Sequence, residues 1–124
     1  MAMIERFEDL RCWQEARYLV KIVYEMTAKG EVSGDYGFKD QVRRAALSVM
    51  SNIAEGFGRM SCRESIRFYE IASASANEVR SITYAAKDLG YWTDQEVETL
   101  HQSTLKIRAM NRKLIKYLMS RNKT

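Results

Sequence analysis

Apolar residues recur along the chain at intervals of three and four, the period of an α-helix, and nowhere at the interval of two that marks a strand. Four such stretches are separated by breaks. The first covers residues 10–28, with Leu10, Trp13, Ala16, Val20, Val23 and Thr27 on its seam. Asp9 precedes it, placed to accept from the free amides of the first turn. Gly30 and the run SGDYG (33–37) break the pattern. The second stretch, 38–57, carries Phe38, Val42, Ala45, Val49, Asn52 and Gly56. Gly56 and Gly58 are read as its end, because glycine accepts the left-handed backbone on which many helices stop. The third, 62–89, opens on Ser61 and Glu64 at capping-box spacing and closes at Gly90. The fourth, 94–119, opens on a second box, Thr93 and Glu96, with Val97, Leu100, Thr104, Ile107, Asn111, Leu114 and Leu118 on its seam.

The last two helices are each about 40 Å long at ~1.5 Å per residue. Long helices with short connections pack as antiparallel neighbours. The expected fold is therefore all-α: one domain, an up-down-up-down antiparallel four-helix bundle. The small-residue run ASASA (72–76) should let a neighbouring helix approach closely.

Polar residues interrupt these seams. Asn52, Ser75, Thr104 and Asn111 fall where apolar side chains belong, and Ser48, Ser51 and Glu55 crowd the second helix. Interhelical hydrogen bonds that fix register, at some cost in stability, account for such a row. Asn52, Glu55, Ser75 and Asn111 are the expected interhelix polar set. Glu55 and Glu78 lie one turn from seam polar residues and could accept from Arg44, Arg67 or a hydroxyl at the bundle edge. Acid–base work by the two carboxylates would require a pocket and a partner as well.

Composition narrows the classes. With no proline, 46% apolar and 29% charged residues, the chain reads as folded and helical, not disordered. Its longest apolar clusters, YLV and IVY, are split by Lys21, far short of the ~20 residues of a membrane span. MAMIERFEDL contains no secretion signal. Cys12 and Cys62 are isolated thiols, neither a disulfide framework nor a metal-binding CxxC pair. A cytoplasmic location without membrane contact is expected.

Two motifs imitate chemistry. GFGRMS (56–61) resembles a phosphate-cradling GxGxxG but follows a helix and lacks the strand and third glycine. Glu98 and His101 make a single ExxH, whereas a di-iron bundle needs two, with two more carboxylates. No nucleophile–base set exists, so no catalytic residue, metal site or cofactor is expected.

Two surfaces remain. Eleven of the 18 residues from 10 to 27 are apolar, where a single core stripe needs roughly eight. The surplus at Tyr18, Ile22 and Met26 predicts an exposed apolar patch covered by self-association; the bland alternative lays the tyrosines flat on the surface with wet hydroxyls. The net charge of +4 is uneven: residues 105–124 hold seven Lys/Arg and no acid, the remainder 13 against 16. Arg108, Arg112 and Lys116 share a helix face at spacing four, with Lys113 beside them and Lys106, Arg121 and Lys123 nearby. Arg59, Arg63 and Arg67 form a second strip. Clustered cations attract the phosphates of RNA or single-stranded DNA without reading sequence. They equally suit a solvated helix C-terminus, where they offset the carbonyl dipoles. A protein-docking scaffold is the competing function.

The motifs FEDLRCWQEA (7–16), QVRRAALSVMSNIAEGFGR (41–59), RFYEIASASANEV (67–79) and DLGYW (88–92), in that order, resemble the four-helix-bundle proteins of the ribosomal RNA intervening-sequence type. The resemblance spans residues 7–118, and SNIAEGFGR (51–59) is its most specific piece. It implies a cytosolic bacterial bundle assembled as a five-membered ring, with no settled activity. Some such proteins are encoded inside intervening sequences of large-subunit ribosomal RNA genes. Distant relatives of similar shape serve as accessory subunits of diversity-generating retroelements, where they bind a reverse transcriptase and nucleic acid. The chain departs from the pattern in two places: Met50 replaces a usual proline, and Ser73-Ala74-Ser75 replaces Arg-Gly-Ser.

Overall fold

The computed structural model describes residues 4–122. A single 3-10 turn over Phe7–Asp9 leads into α1 (Arg11–Thr27); a second, Glu31–Gly34, leads into α2 (Tyr36–Phe57), followed by α3 (Cys62–Asp88) and α4 (Asp94–Asn122). Among the described residues there is no strand. Each helix packs on two others: α1 on α2 and α4, α3 on α2 and α4.

Cross-helix contacts run in opposite order along each pair. Gly56 lies against Ser65 and Tyr69, Ser48 bonds Ser75, and Gln41 donates to Glu78, so α2 and α3 are antiparallel. Asn111 donates to Ser73 while Thr83 bonds His101, so α3 and α4 are too. Ser103 donates to Glu15 and Trp92 Nε1 donates to the Met26 carbonyl, which orients α4 against α1. The N-terminal turn, the α2–α3 connection and the end of α4 therefore share one end of the bundle.

The caps show how local sequence sets the boundaries. The Thr93–Glu96 capping box forms, with reciprocal bonds at 2.8 and 3.2 Å, while at Ser61 only the cap half forms, Glu64 N–H donating to Ser61 Oγ at 3.2 Å. Gly90, at φ 73°, ends α3 with Gly90 N–H on the Lys87 carbonyl and Tyr91 N–H on that of Ala86. Asp9 does not cap α1; it sits inside the 3-10 turn, and Leu10 occupies the cap position without a side-chain bond. Asp35 caps α2 instead, accepting from Phe38 N–H at 3.2 Å, so the helix starts two residues before the expected Phe38. Asp35 also accepts from the Tyr91 hydroxyl at 2.7 Å, which holds that phenol protonated above its ordinary range. Together with Phe38 packed edge-on against Tyr91 and Trp92, this ties the two loops at that end together.

Gly56 is not a helix end. It lies within α2, buried, and a β-carbon there would sit 2.9 Å from Tyr69 Cε1, 3.1 Å from Phe68 Cβ and 3.2 Å from the Ser65 carbonyl oxygen. The missing side chain is what lets α3 approach. Gly58 closes the helix in right-handed, not left-handed, conformation, with φ −84°. On the facing helix Ala72 and Ala76 are fully buried, so small residues on both partners set the spacing. The core is completed by Leu19, Val23, Val42, Val49, Ile53, Val79, Leu100 and Ile107, all solvent-excluded.

Candidate nucleic-acid interface

Because α3 and α4 are antiparallel, the start of α3 and the last turns of α4 lie at one end. The two basic strips, far apart in sequence, are thus brought to the same end of the bundle. Arg63, Arg67, Arg112, Lys113 and Lys116 are exposed, and Arg108 is half-buried. Of the carboxylates at this end, Glu8 and Asp9 lie within 3.8 Å of Arg6 and Glu55 pairs with Arg59 at 2.7 Å; Glu64 accepts from the neutral Ser61 hydroxyl, and Glu5 and Glu70 form no ion pair among the described residues. Among the described residues, Arg63, Arg67, Arg108, Arg112, Lys113 and Lys116 form no ion pair. Arg121 donates to the Tyr117 hydroxyl at 3.2 Å, and Lys123 lies outside the described residues. Lys113 does not share the stripe of Arg108, Arg112 and Lys116. It faces a groove between α1 and α4 together with Lys106.

The interhelix polar set divides. Asn111, fully buried, donates across to Ser73 Oγ at 3.0 Å and the Tyr69 carbonyl at 3.4 Å, while its Oδ1 has no hydrogen-bond partner. Ser75 spans to Ser48 at 2.8 Å. Asn52 does not cross; it donates to the Ser48 carbonyl and hydroxyl of its own helix, at 2.8 and 3.0 Å, and so steadies the serine that does. Glu55 does not cross either, because Arg59 one turn on captures it within the helix. Glu78 accepts from Gln41, and Arg44 pairs with Asp40, so the expected Arg44 contacts are absent.

The α1 patch is smaller than the residue count predicts. Tyr18 is half exposed, but Ile22 and Met26 are partly buried and pack on the core. The single-stripe arithmetic undercounts because α1 lies between two helices and buries a wider arc.

His101 and Cys12 read as structural. His101 Nε2 bonds Thr83 at 2.6 Å; desolvation, then the Arg80 charge, hold its pKa below 6.5. Burial pushes the Cys12 thiol up to about 11, leaving it un-ionised and poorly nucleophilic at neutral pH. Among the described residues no group of three or more His, Cys, Asp or Glu side chains could hold a metal ion. No described helix is long and apolar enough to cross a membrane.

An all-α four-helix bundle with one cationic end defines the class of protein. More narrowly, the chain belongs to the 23S rRNA-intervening sequence protein family, whose sequence model matches residues 8–113. It is similar in structure to a protein of unknown function from the S23 ribosomal protein family of Bacteroides thetaiotaomicron VPI-5482. That likeness has a TM-score of 0.75 at 21% identity, covering 85% of this chain and 98% of the other. At that identity it supports the fold alone. No protein with a curated description matches the chain.

A further cationic groove escaped the reading of the sequence. Tyr24 and Thr27 of α1 meet Tyr36, Lys39 and Arg43 of α2 there. The spacing of Tyr36, Lys39 and Arg43 is a helical stripe visible in the sequence. Its partner face, on another helix, is not.

Proposed function

We propose that this protein is a non-enzymatic, cytosolic bundle that assembles with copies of itself as a five-membered ring and binds RNA through its basic end without sequence preference. One observation carries the reading: two cation strips meet at one end of the fold, and Arg63, Arg67, Arg108, Arg112, Lys113 and Lys116 form no ion pair there among the described residues. Phosphate attraction needs clustered cations that no carboxylate pairs with, and that end supplies them. A ring would repeat the basic end and add avidity where the copies point the same way.

The test is fluorescence anisotropy with a labelled single-stranded RNA across a salt series. Affinity should fall steeply with salt, with a log–log slope of roughly 0.7 per neutralised phosphate. Replacing Arg108, Arg112, Lys113 and Lys116 by Gln should abolish binding and leave assembly intact. Undiminished binding by that variant, or none by the wild type at low salt, overturns the reading. Assembly itself is checked by light scattering, which should report several times the 14.4 kDa chain mass. Tyr18→Glu is a cleaner probe of the interface than Ile22→Glu, since Ile22 packs on the core.

The α1–α4 groove supports a second reading, a protein-docking scaffold. Its floor of Cys12, Met110 and Leu114 is apolar and its rim carries Arg11, Lys106 and Lys113. Binding of a protein partner by the quadruple Gln variant, with no RNA bound by the wild type, would favour it.

A further inference from the structure

We propose that the groove between α1 and α2 binds a nucleotide unit, an anionic phosphate joined to a planar base. The groove lies near the end opposite the basic end, so it stands or falls apart from the RNA reading. It is an open groove of about 830 Å³. Tyr24, Tyr36, Gly37, Lys39, Arg43 and Arg44 are among its lining residues.

Arg43 is the built element. Its Nε donates to Thr27 Oγ1 at 2.8 Å, its Nη2 to the Tyr24 carbonyl at 3.4 Å, and its guanidinium lies 4.3 Å from the Tyr24 ring centroid. Thr27 is itself buried and donates to the Val23 carbonyl at 2.7 Å, so the acceptor is fixed in turn. The guanidinium is thereby pre-oriented, and a ligand that meets it orders little further. Among the described residues Nη1 has no hydrogen-bond partner and Arg43 no carboxylate. Clipping α1 to α2 uses Nε and Nη2 only.

The surroundings supply the remainder of a nucleotide's chemistry. Lys39 donates to the Ser33 carbonyl at 3.1 Å, which leaves two of its ammonium protons, and it too has no carboxylate partner among the described residues. Asp40, which also lines the groove, pairs with Arg44 at 2.8 Å, so the remaining positive charge of the groove is that of Lys39 and Arg43. Lys39 Nζ lies 4.9 Å from the ring centroid of Tyr36, which is 74% exposed. A phosphate on Arg43 and Lys39 therefore places its attached base beside an aromatic ring, the arrangement by which single strands and free nucleotides are held without sequence readout. Gly37 leaves the wall open: a β-carbon there would meet nothing within 4 Å.

The experiment titrates the full-length protein with uridine 5′-monophosphate by calorimetry, and in parallel with a fluorescein-labelled oligouridylate, both at low salt. Saturable binding is expected. Arg43→Gln should weaken it at least about tenfold, the usual loss when a charged hydrogen bond is removed. Because Arg43 also clips two helices, Gly37→Glu is the fold-sparing counterpart. It adds a carboxylate where there is room, and should abolish monophosphate binding without lowering helicity or the thermal midpoint. Binding of both probes with the same sensitivity assigns a nucleotide unit from either source; sensitivity of the oligouridylate alone assigns a strand. The quadruple Gln variant of the basic end should still bind uridine 5′-monophosphate through the groove. Monophosphate binding lost in that variant and kept in Gly37→Glu would overturn the proposal. So would no effect of Gly37→Glu on either probe.

Discussion

Gly56→Ala isolates the contact that brings α2 and α3 together. Two effects oppose each other. Alanine in a helix interior gains about 0.5–1 kcal/mol over glycine. Against this, the new methyl would sit 2.9 Å from Tyr69 Cε1, 3.1 Å from Phe68 Cβ and 3.2 Å from the Ser65 carbonyl oxygen. None of these can swing aside: one is backbone, one is fixed to it, and Tyr69 is a buried ring at 2% exposure. Overpacking of this kind costs about 1–3 kcal/mol, and the rigid neighbours favour the upper part of that range. The net expectation is a loss of about 1–2 kcal/mol. Urea denaturation at one fixed protein concentration measures it as a lower midpoint with unchanged slope, since the proposed assembly would make apparent stability concentration-dependent. Gly37→Ala is the internal control. Its β-carbon meets nothing within 4 Å in the same helix, so it should stabilise by about 0.4–1 kcal/mol. A Gly56→Ala protein as stable as the wild type would mean that α3 moves aside at little cost and that the close approach is not a constraint.

Asn111→Leu should be near neutral in stability, within about 1 kcal/mol, because it removes an unsatisfied buried oxygen together with two hydrogen bonds. It should, however, reduce the dispersion of side-chain NMR signals if the polar contact specifies packing; a loss above about 3 kcal/mol would show that the bonds dominate. His101 has its folded-state pKa below the unfolded value of 6.5, so the unfolded chain binds more protons between the two. Its contribution is complete above pH 6.5 and is lost as pH falls through that window; His101→Gln should flatten this part of a stability–pH profile, and an unchanged profile would refute the assignment. With a thiol reagent at neutral pH, partly exposed Cys62 should react first and Cys12 only on unfolding. Two equally fast thiols would contradict the buried, un-ionised state of Cys12.

What the sequence by itself determined is local. The period of Val97, Leu100, Ile107 and Leu114 marks α4, and the boxes at Ser61–Glu64 and Thr93–Glu96 mark helix starts, because a cap and its amides lie within one turn of chain. Gly90 was legible as a stop for the same reason. Asp35 was not legible as a cap, although it stands one residue ahead of α2, because the run SGDYG offers several candidate breaks and only the folded chain selects one. Gly56 shows the larger limit. A buried glycine and a terminal glycine look alike in sequence, and only the position of Ser65, Phe68 and Tyr69 on another helix tells them apart. The candidate sites follow the same division. The charge of α4 could be counted, but its union with Arg63 and Arg67 depends on the antiparallel course of α3 and α4. Glu55 and Asn52 suit interhelix contacts by their place in the sequence and instead bond within α2, since a partner one turn away needs no tertiary contact to meet. The groove of Tyr24, Tyr36, Lys39 and Arg43 exists only where α1 and α2 are packed: spacing along one helix sets which residues share a face, and packing decides what that face meets.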